Sequence, residues 1–167
     1  AAGGAAAADG AADGAADGAA DAGGFSEQEE DVQFVPYMPA FVRGAAHPSA
    51  AVENGTLATV LPPAPTLELL LRSEHPEIVA EARLSALQLE SVTYACMRHA
   101  KALPTGETAG FFLGDGAGMG KGRQLAGLVF ENWLRAGRDK ADGAADAGRK
   151  KHVWVSTSKD LHFDAQR

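Results

Sequence analysis

Residues 109–123 read Ala-Gly-Phe-Phe-Leu-Gly-Asp-Gly-Ala-Gly-Met-Gly-Lys-Gly-Arg, an apolar run entering a glycine-rich loop that ends in Gly-Lys. Glycines at 114, 116, 118 and 120 remove side chains where backbone N–H groups must turn inward around an anion. Lys121 then stands where its ammonium reaches the outer phosphates of a nucleotide, and a following helix aims its positive end at the same place. The chemistry this pattern offers is phosphate binding.

Spacing separates the loop from its rivals. A dinucleotide fingerprint needs Gly-x-Gly-x-x-Gly. Counting from Gly114, Gly116, Gly118 or Gly120, its third glycine would fall on Met119, Lys121, Arg123 or Leu125, so it fails in every register. Walker A, Gly-x-x-x-x-Gly-Lys-Ser/Thr, fits in part: Gly120-Lys121 is in place, but Asp115 replaces the first glycine and Gly122 the hydroxyl residue. The helicase variant Ala-x-x-Gly-x-Gly-Lys-Thr fits better, matching at Gly118, Gly120 and Lys121. The competing reading is a glycine-rich turn with an incidental lysine. An apolar strand before the loop and an apolar helix after it favour the phosphate loop.

The two departures carry physical consequences. The Ser/Thr hydroxyl of an ordinary P-loop ligates Mg²⁺, and Gly122 has none, so the ion would need water, another residue or a second segment. Asp115 puts a carboxylate beside a polyanion, which requires it to point away, pair with Arg123 or cap backbone amides. Nucleotide binding is thus better supported than hydrolysis.

The loop needs elements to hold it. Ser85 precedes Ala86-Leu87-Gln88, a Ser-x-x-Gln capping box. Leu89, Val92, Cys96, His99 and Leu103 then recur at helical spacing, and Pro104-Thr-Gly106 ends the helix. Ala109–Leu113 reads as a buried parallel strand. Gln124–Leu134 is apolar nearly all round, which predicts a sandwiched helix. His152–Ser156 reads as a second strand, with Ser158 or Asp160 capping a further helix. Strand, loop, helix and strand make one βαβ unit with a parallel sheet. Upstream, six prolines between 36 and 65 predict extended, irregular chain with one or two short strands, and a helix is expected from about Pro76 to Arg83.

Composition bounds the rest. The chain has 167 residues, and residues 1–24 contain only Ala, Gly and Asp in a loose Ala-Ala-Asp-Gly repeat, expected to be disordered. The same word returns at 141–148, where it predicts a surface insert. The formal charge of −7 becomes −3 without Asp9, Asp13, Asp17 and Asp21, and −1 without Asp142 and Asp146. The folding part is therefore near neutral, and acidity says nothing about partners. No run approaches the roughly 18 apolar residues of a membrane span. The single cysteine, Cys96, forms no internal disulfide and reads as a core residue, compatible with a reducing compartment. Asn54-Gly-Thr56 matches a glycosylation acceptor by chance. Lys150-Lys151 and Arg135/Arg138 are too sparse for a basic groove. Both ends look cut, since no Met opens the chain and Asp164–Arg167 falls in an expected helix start.

Three blocks together carry a resemblance: Leu84–Val92, Gly110–Gln124, and Val153–Leu161 with Asp164-Ala165. They resemble the strawberry notch family, large nuclear proteins with a superfamily-2 helicase-like ATPase core. Phe34-Val-Pro-Tyr-Met-Pro39 and Leu57-Ala-Thr-Val-Leu-Pro-Pro63 resemble that family's lead-in. The match covers about residues 34–167 apart from the alanine-rich insert. The family's loop also ends in Gly-Lys-Gly-Arg, so Gly122 departs from general P-loops and not from these relatives.

The resemblance implies an α/β fold: part of a RecA-like P-loop NTPase domain preceded by a proline-rich segment and helices. Its divisions would be a disordered tail at 1–31, a proline-rich lead-in at 32–83 packed on the core, and an incomplete ATPase lobe at 84–167 with a disordered insert at about 139–149. It implies that ATP is bound by Gly114, Gly116, Ala117, Gly118, Met119, Gly120, Lys121, Gly122 and Arg123, with Lys121 the catalytic contact. Mg²⁺ is implied with no ligand identifiable in this chain. Gln88 stands where related helicases place an adenine-reading glutamine, which its amide suits; its other role is the capping box, and both readings stand. Arg123 faces phosphate, Asp115 or solvent. Ser156 and Ser158 match a motif near the nucleic-acid path, although a helix cap suits them better.

No Asp-Glu-x-His-type Walker B segment, arginine finger or second lobe occurs in these residues, so the chain alone should not turn over ATP. The leading functional reading is the ATP-binding part of a nuclear motor that acts on DNA, RNA or chromatin in transcriptional regulation, with transcription factors among the partners and no membrane. The alternative is a nuclear scaffold that binds nucleotide without efficient hydrolysis. A small-molecule kinase-like enzyme is disfavoured, because it would carry Ser/Thr after the lysine.

Overall fold

The computed structural model describes residues 33–141 and 151–155, all within one compact unit spanning Val32–Arg167. The expected tail at 1–31, most of the alanine-rich insert, and Ser156, Ser158 and Asp160 lie outside the described residues.

The lead-in begins with a small antiparallel pair, β1 (Phe34–Pro36) and β2 (Val52–Asn54), in register Phe34↔Asn54, Val35↔Glu53 and Pro36↔Val52. Bonds from Tyr37 N to Ala51 O and from Gly55 N to Gln33 O extend the ladder at both ends. A single 3₁₀ turn at Leu57–Thr59 follows. Two one-turn helices come next, α1 (Leu70–Ser73) and α2 (Glu77–Ala80). The latter is shorter than the expected helix to Arg83, since the chain turns at Ala82, whose φ is +54°.

Two long helices form the body. The helix α3 (Ala86–His99) starts at the expected capping box: the Gln88 amide donates to Ser85 Oγ and the Ser85 amide to Gln88 Oε1. Such a cap satisfies two of the helix's orphan donors. The helix stops before Leu103, because 101–109 doubles back in a tight turn with Leu103 N bonded to Glu107 O and Gly106 at φ +85°. The second, α4 (Lys121–Ala141), lies across α3. Their close approach depends on Gly127, where a Cβ would sit 3.0 Å from Leu84 Cδ1 and 3.2 Å from Val92 Cγ2. The core joins Val42 and Leu69–Leu71 of the lead-in to Leu84, Leu89, Val92 and Cys96 of the α3 region and Leu134 of α4.

A buried carboxylate ties the lead-in to α4. Glu131 is fully buried, accepts the Leu70 and Leu71 amides at 3.0 and 2.9 Å, and pairs with Arg135 at 2.6 Å. It caps α1, whose own N-cap residue, Leu69, offers no side-chain acceptor. Arg135 also donates to Glu68 O.

The parallel βαβ unit is not present among the described residues. Neither 109–113 nor 151–155 is a strand, and the antiparallel β1–β2 pair is the sheet found there. Parallel strands exist only with neighbours to accept their slanted bonds, and these apolar segments have no strand neighbour among the described residues: Phe112 is 87 % exposed, Val153 90 % and Val155 87 %. For the same reason α4 is covered on one side, not sandwiched, and Trp133 lies half exposed. The helix also runs to Ala141, so the insert expected from about 139 begins no earlier than 142.

Candidate nucleotide site

The loop runs from Gly114 to Gly120 and feeds directly into α4, which opens at Lys121. The first amides of any α-helix lack intrahelical acceptors, so the helix presents donors and its positive end beside the loop. Left-handed backbone is confined to Gly118 (φ +83°) and Gly120 (φ +71°). At Gly120 a Cβ would also lie 2.5 Å from Gln88 Nε2, so both backbone and space demand glycine. Gly116 and Gly122 face open space, and a Cβ at Gly114 would touch the Phe112 ring.

The loop is pinned through its carbonyls. Lys121 Nζ donates to the Asp115 and Gly116 carbonyls, both at 2.9 Å. Gln88 Nε2 and Gln124 Nε2 donate to the Met119 carbonyl at 3.2 and 3.3 Å. Gln124 Nε2 also meets Asp115 Oδ2 at 2.7 Å. Asp115 is therefore turned toward α4 and held by Gln124, while Arg123 is exposed. Three carbonyls that would repel phosphate are thus occupied by donors from three different residues.

Gln88 is brought against the loop but is committed at both ends, its oxygen to the Ser85 amide and its nitrogen to Met119. Ala117 and Met119 belong to the loop turn, with Met119 half-buried. For nucleotide phosphates the cradle fits: an open loop, two obligatory glycines and one ammonium. For Mg²⁺ it does not. Gly122 offers no ligand, Asp115 is engaged by Gln124, and no group of three or more His, Cys, Asp or Glu among the described residues could hold a metal.

Beside the loop lies a cavity of about 510 Å³, bounded by Gly114–Ala117 and Met119, by one face of α3, and by the lead-in from Tyr37 and Ala50–Glu53 to Leu57. The α3 face contributes Leu87, Glu90 and Ser91, at the i, i+3, i+4 spacing of one helix side. The Tyr37 hydroxyl donates to Glu90 Oε2. Burial pushes the Glu90 carboxyl above its ordinary range, while the Tyr37 hydroxyl and the Ala40 amide pull it back. Burial and the Glu90 carboxylate raise the Tyr37 phenol. In the core, burial pushes the Cys96 thiol up to about 12, which keeps it an inert packing residue.

Sequence reasoning missed Gln124, Glu131 and Glu90. A signal for the first two exists: positions 124, 127, 131 and 134 form the buried stripe of α4, so two of its core positions are polar and need partners. Glu90 carries no such mark.

A family described as P-loop containing NTP hydrolase pore-1 matches residues 46–167. The chain is 44 % identical over 135 residues to protein strawberry notch homolog 2 of Mus musculus, covering 80 % of this chain and 9 % of that protein. It is 43 % identical over 136 residues to protein strawberry notch of Drosophila melanogaster, 80 % of this chain and 7 % of the relative. Protein FORGETTER 1 of Arabidopsis thaliana is 42 % identical over 148 residues, 84 % of this chain and 10 % of its own length. The chain thus spans a tenth or less of the curated relatives it matches. No solved structure gives a significant match. No helix among the described residues is long and apolar enough to cross a membrane. With a loop of this sequence and build, and with these relatives along four-fifths of its length, the chain belongs to the strawberry notch family of P-loop NTP hydrolases.

Proposed function

We propose that residues 114–123 bind the phosphates of ATP, as the nucleotide-binding part of a helicase-like ATPase that acts on nucleic acid or chromatin in the nucleus. The observation that carries this reading is the state of Lys121. Its ammonium rests on the Asp115 and Gly116 carbonyls at the mouth of an open loop. A triphosphate offers anionic oxygens to the same ammonium, and charge-assisted bonds to these are stronger than bonds to neutral carbonyls. The lysine would exchange partners without crossing the site.

In this reading Gly118 and Gly120 shape the loop, Gly114, Gly116, Ala117 and Met119 line the ligand, and the amides of Gly122 and Arg123 lie at the α4 start. Gln88 and Gln124 position the loop from behind. Residues 84–167 would be the binding lobe and 32–83 the lead-in packed on it, a division supported by the bonds from the Leu70 and Leu71 amides to Glu131. Membership of a P-loop NTP hydrolase family supports nucleotide as the ligand. The resemblance of Leu84–Val92 and Gly110–Gln124 to superfamily-2 helicase motifs supports ATP and a nucleic-acid or chromatin substrate.

The test is titration of ATP into the chain and its Lys121→Ala variant by calorimetry. Loss of one charge-assisted contact costs about 1.5–3 kcal/mol, roughly ten- to hundredfold in affinity. Equal affinities would remove the loop assignment. One observation favours a second reading, a nuclear scaffold that binds nucleotide without efficient turnover: the metal-ligating hydroxyl is replaced by Gly122, and packing does not require that glycine. Phosphate release by a full-length relative, with and without DNA or RNA, separates the two.

A further inference from the structure

We infer that Gln124 is a positioning residue that holds the Asp115 carboxylate away from the Lys121 ammonium and so keeps that ammonium available to phosphate. The inference rests on the phosphate-loop reading and names the side chain that stops the loop from neutralising its own charge.

The loop carries an acid within reach of its ammonium. Lys121 Nζ lies 2.9 Å from the Asp115 carbonyl, so the carboxylate of the same residue is a side-chain rotation away. For an ammonium, a carboxylate is a stronger partner than a neutral carbonyl. Yet Lys121 takes the carbonyls of Asp115 and Gly116, and the ion pairs among the described residues are His75–Glu77, Arg83–Glu81 and Arg135–Glu131. An Asp115–Lys121 pair would cancel the charge that a triphosphate needs, and the ligand would have to break it before binding.

Gln124 holds the carboxylate elsewhere. Its Nε2 donates to Asp115 Oδ2 at 2.7 Å and to the Met119 carbonyl at 3.3 Å, so both amide hydrogens are used. The residue is 1 % exposed, and its Oε1 is buried without a hydrogen-bond partner among the described residues. A buried oxygen left in that state is unfavourable. Turning the amide over would not relieve it, because the oxygen would then face a carboxylate and a carbonyl. The direction of the amide is therefore set by Asp115. Its base is fixed as well, since Gln124 N bonds Gly120 O at 3.1 Å in the first turn of α4. The lining of the cavity beside the loop includes Asp115 but no Lys, Arg or His that could take its carboxylate instead.

The test measures the affinity of inorganic tripolyphosphate and of ATP by calorimetry in the unaltered chain, Gln124→Met, Asp115→Asn and the double variant. Gln124→Met keeps the buried volume and removes both donors, and it should bind both probes roughly tenfold more weakly. Asp115→Asn keeps an acceptor for Gln124 without the charge, so alone it should bind at least as tightly as the unaltered chain. The double variant should recover to within about twofold of Asp115→Asn, because no carboxylate remains to occupy Lys121. If Gln124 merely braced the loop, the double variant would stay as weak as Gln124→Met, and that result overturns the inference. So does unchanged affinity in Gln124→Met, or weaker binding in Asp115→Asn than in the unaltered chain. Gln124→Ala makes the same cut with a smaller side chain and takes the place of Gln124→Met if that variant does not fold. Lys121→Ala run beside them keeps the two readings apart. If it weakens both probes while Gln124→Met weakens neither, the loop assignment stands and the Gln124 assignment falls. If the unaltered chain binds neither probe, both fall.

Discussion

The apolar segment 110–113 runs straight into the phosphate loop and 151–155 follows beyond α4, yet the loop and these segments are held by opposite means. The loop contains almost no side-chain surface. It is fixed by polar contacts from elements already complete: the Gln88 amide from α3, and Gln124 and Lys121 from α4. The flanking segments are rich in Phe, Val and Trp but find little to pack on among the described residues, and Phe112 and Val155 are both 87 % exposed. A loop bonded to two helices needs only those helices. A strand needs other strands, so hydrophobicity alone does not give it a conformation.

The largest expected effect tests whether the helical framework is as self-sufficient as this contrast requires. Glu131 accepts two amides and pairs with Arg135 from a fully buried position. Glu131→Ala leaves the Leu70 and Leu71 amides and the Arg135 guanidinium without that partner. Breaking a buried pair of this kind costs about 3–5 kcal/mol, a large share of a domain's roughly 5–15 kcal/mol. Urea denaturation should show a lower midpoint and an unchanged slope. A loss under about 1 kcal/mol would mean that the lead-in is not held through this carboxylate.

A smaller effect sharpens the account of the loop. Gly120→Ala forces a side chain into φ +71° and against Gln88 Nε2. A non-glycine residue in this region costs on the order of 1–3 kcal/mol. Combining it with Gln88→Ala relieves the clash but not the dihedral, so the double variant should lose less than the two single losses added. Strict additivity in the denaturation cycle would show that Gln88 does not press on the loop.

These contacts also show what could be read from the chain beforehand. The capping box at Ser85–Gln88 was legible because all its atoms lie within one helical turn. So was the loop, since glycine spacing before a lysine is a local statement about backbone. The parallel sheet was inferred from apolar runs whose strand character depends on partners far along the chain, and the described residues hold none. Glu131 failed for a related reason. Its partners are 60 and 61 positions away, and a single acid within Phe130-Glu-Asn-Trp133 does not announce that it faces inward. Glu90 was hidden because a glutamate two residues past a capping glutamine looks like a solvated helix charge until Tyr37 is brought against it.

The smallest effect separates two explanations of the exposed segments. Phe112→Ser removes a ring that is 87 % exposed, so it should move the stability of this chain by no more than about 0.5 kcal/mol. A strand that lacks only its neighbours becomes buried when they are supplied. In a full-length strawberry notch protein carrying this segment, the same substitution should therefore cost about 3–5 kcal/mol, as for other large core truncations. Thermal unfolding of the pair of variants in each context reads both values. A small change in both would mean that Phe112 is a surface residue whose exposure reflects its role, and the contrast with the loop would then be one of function rather than of missing partners. A large change in the short chain would show that the segment already packs, and would remove the distinction altogether.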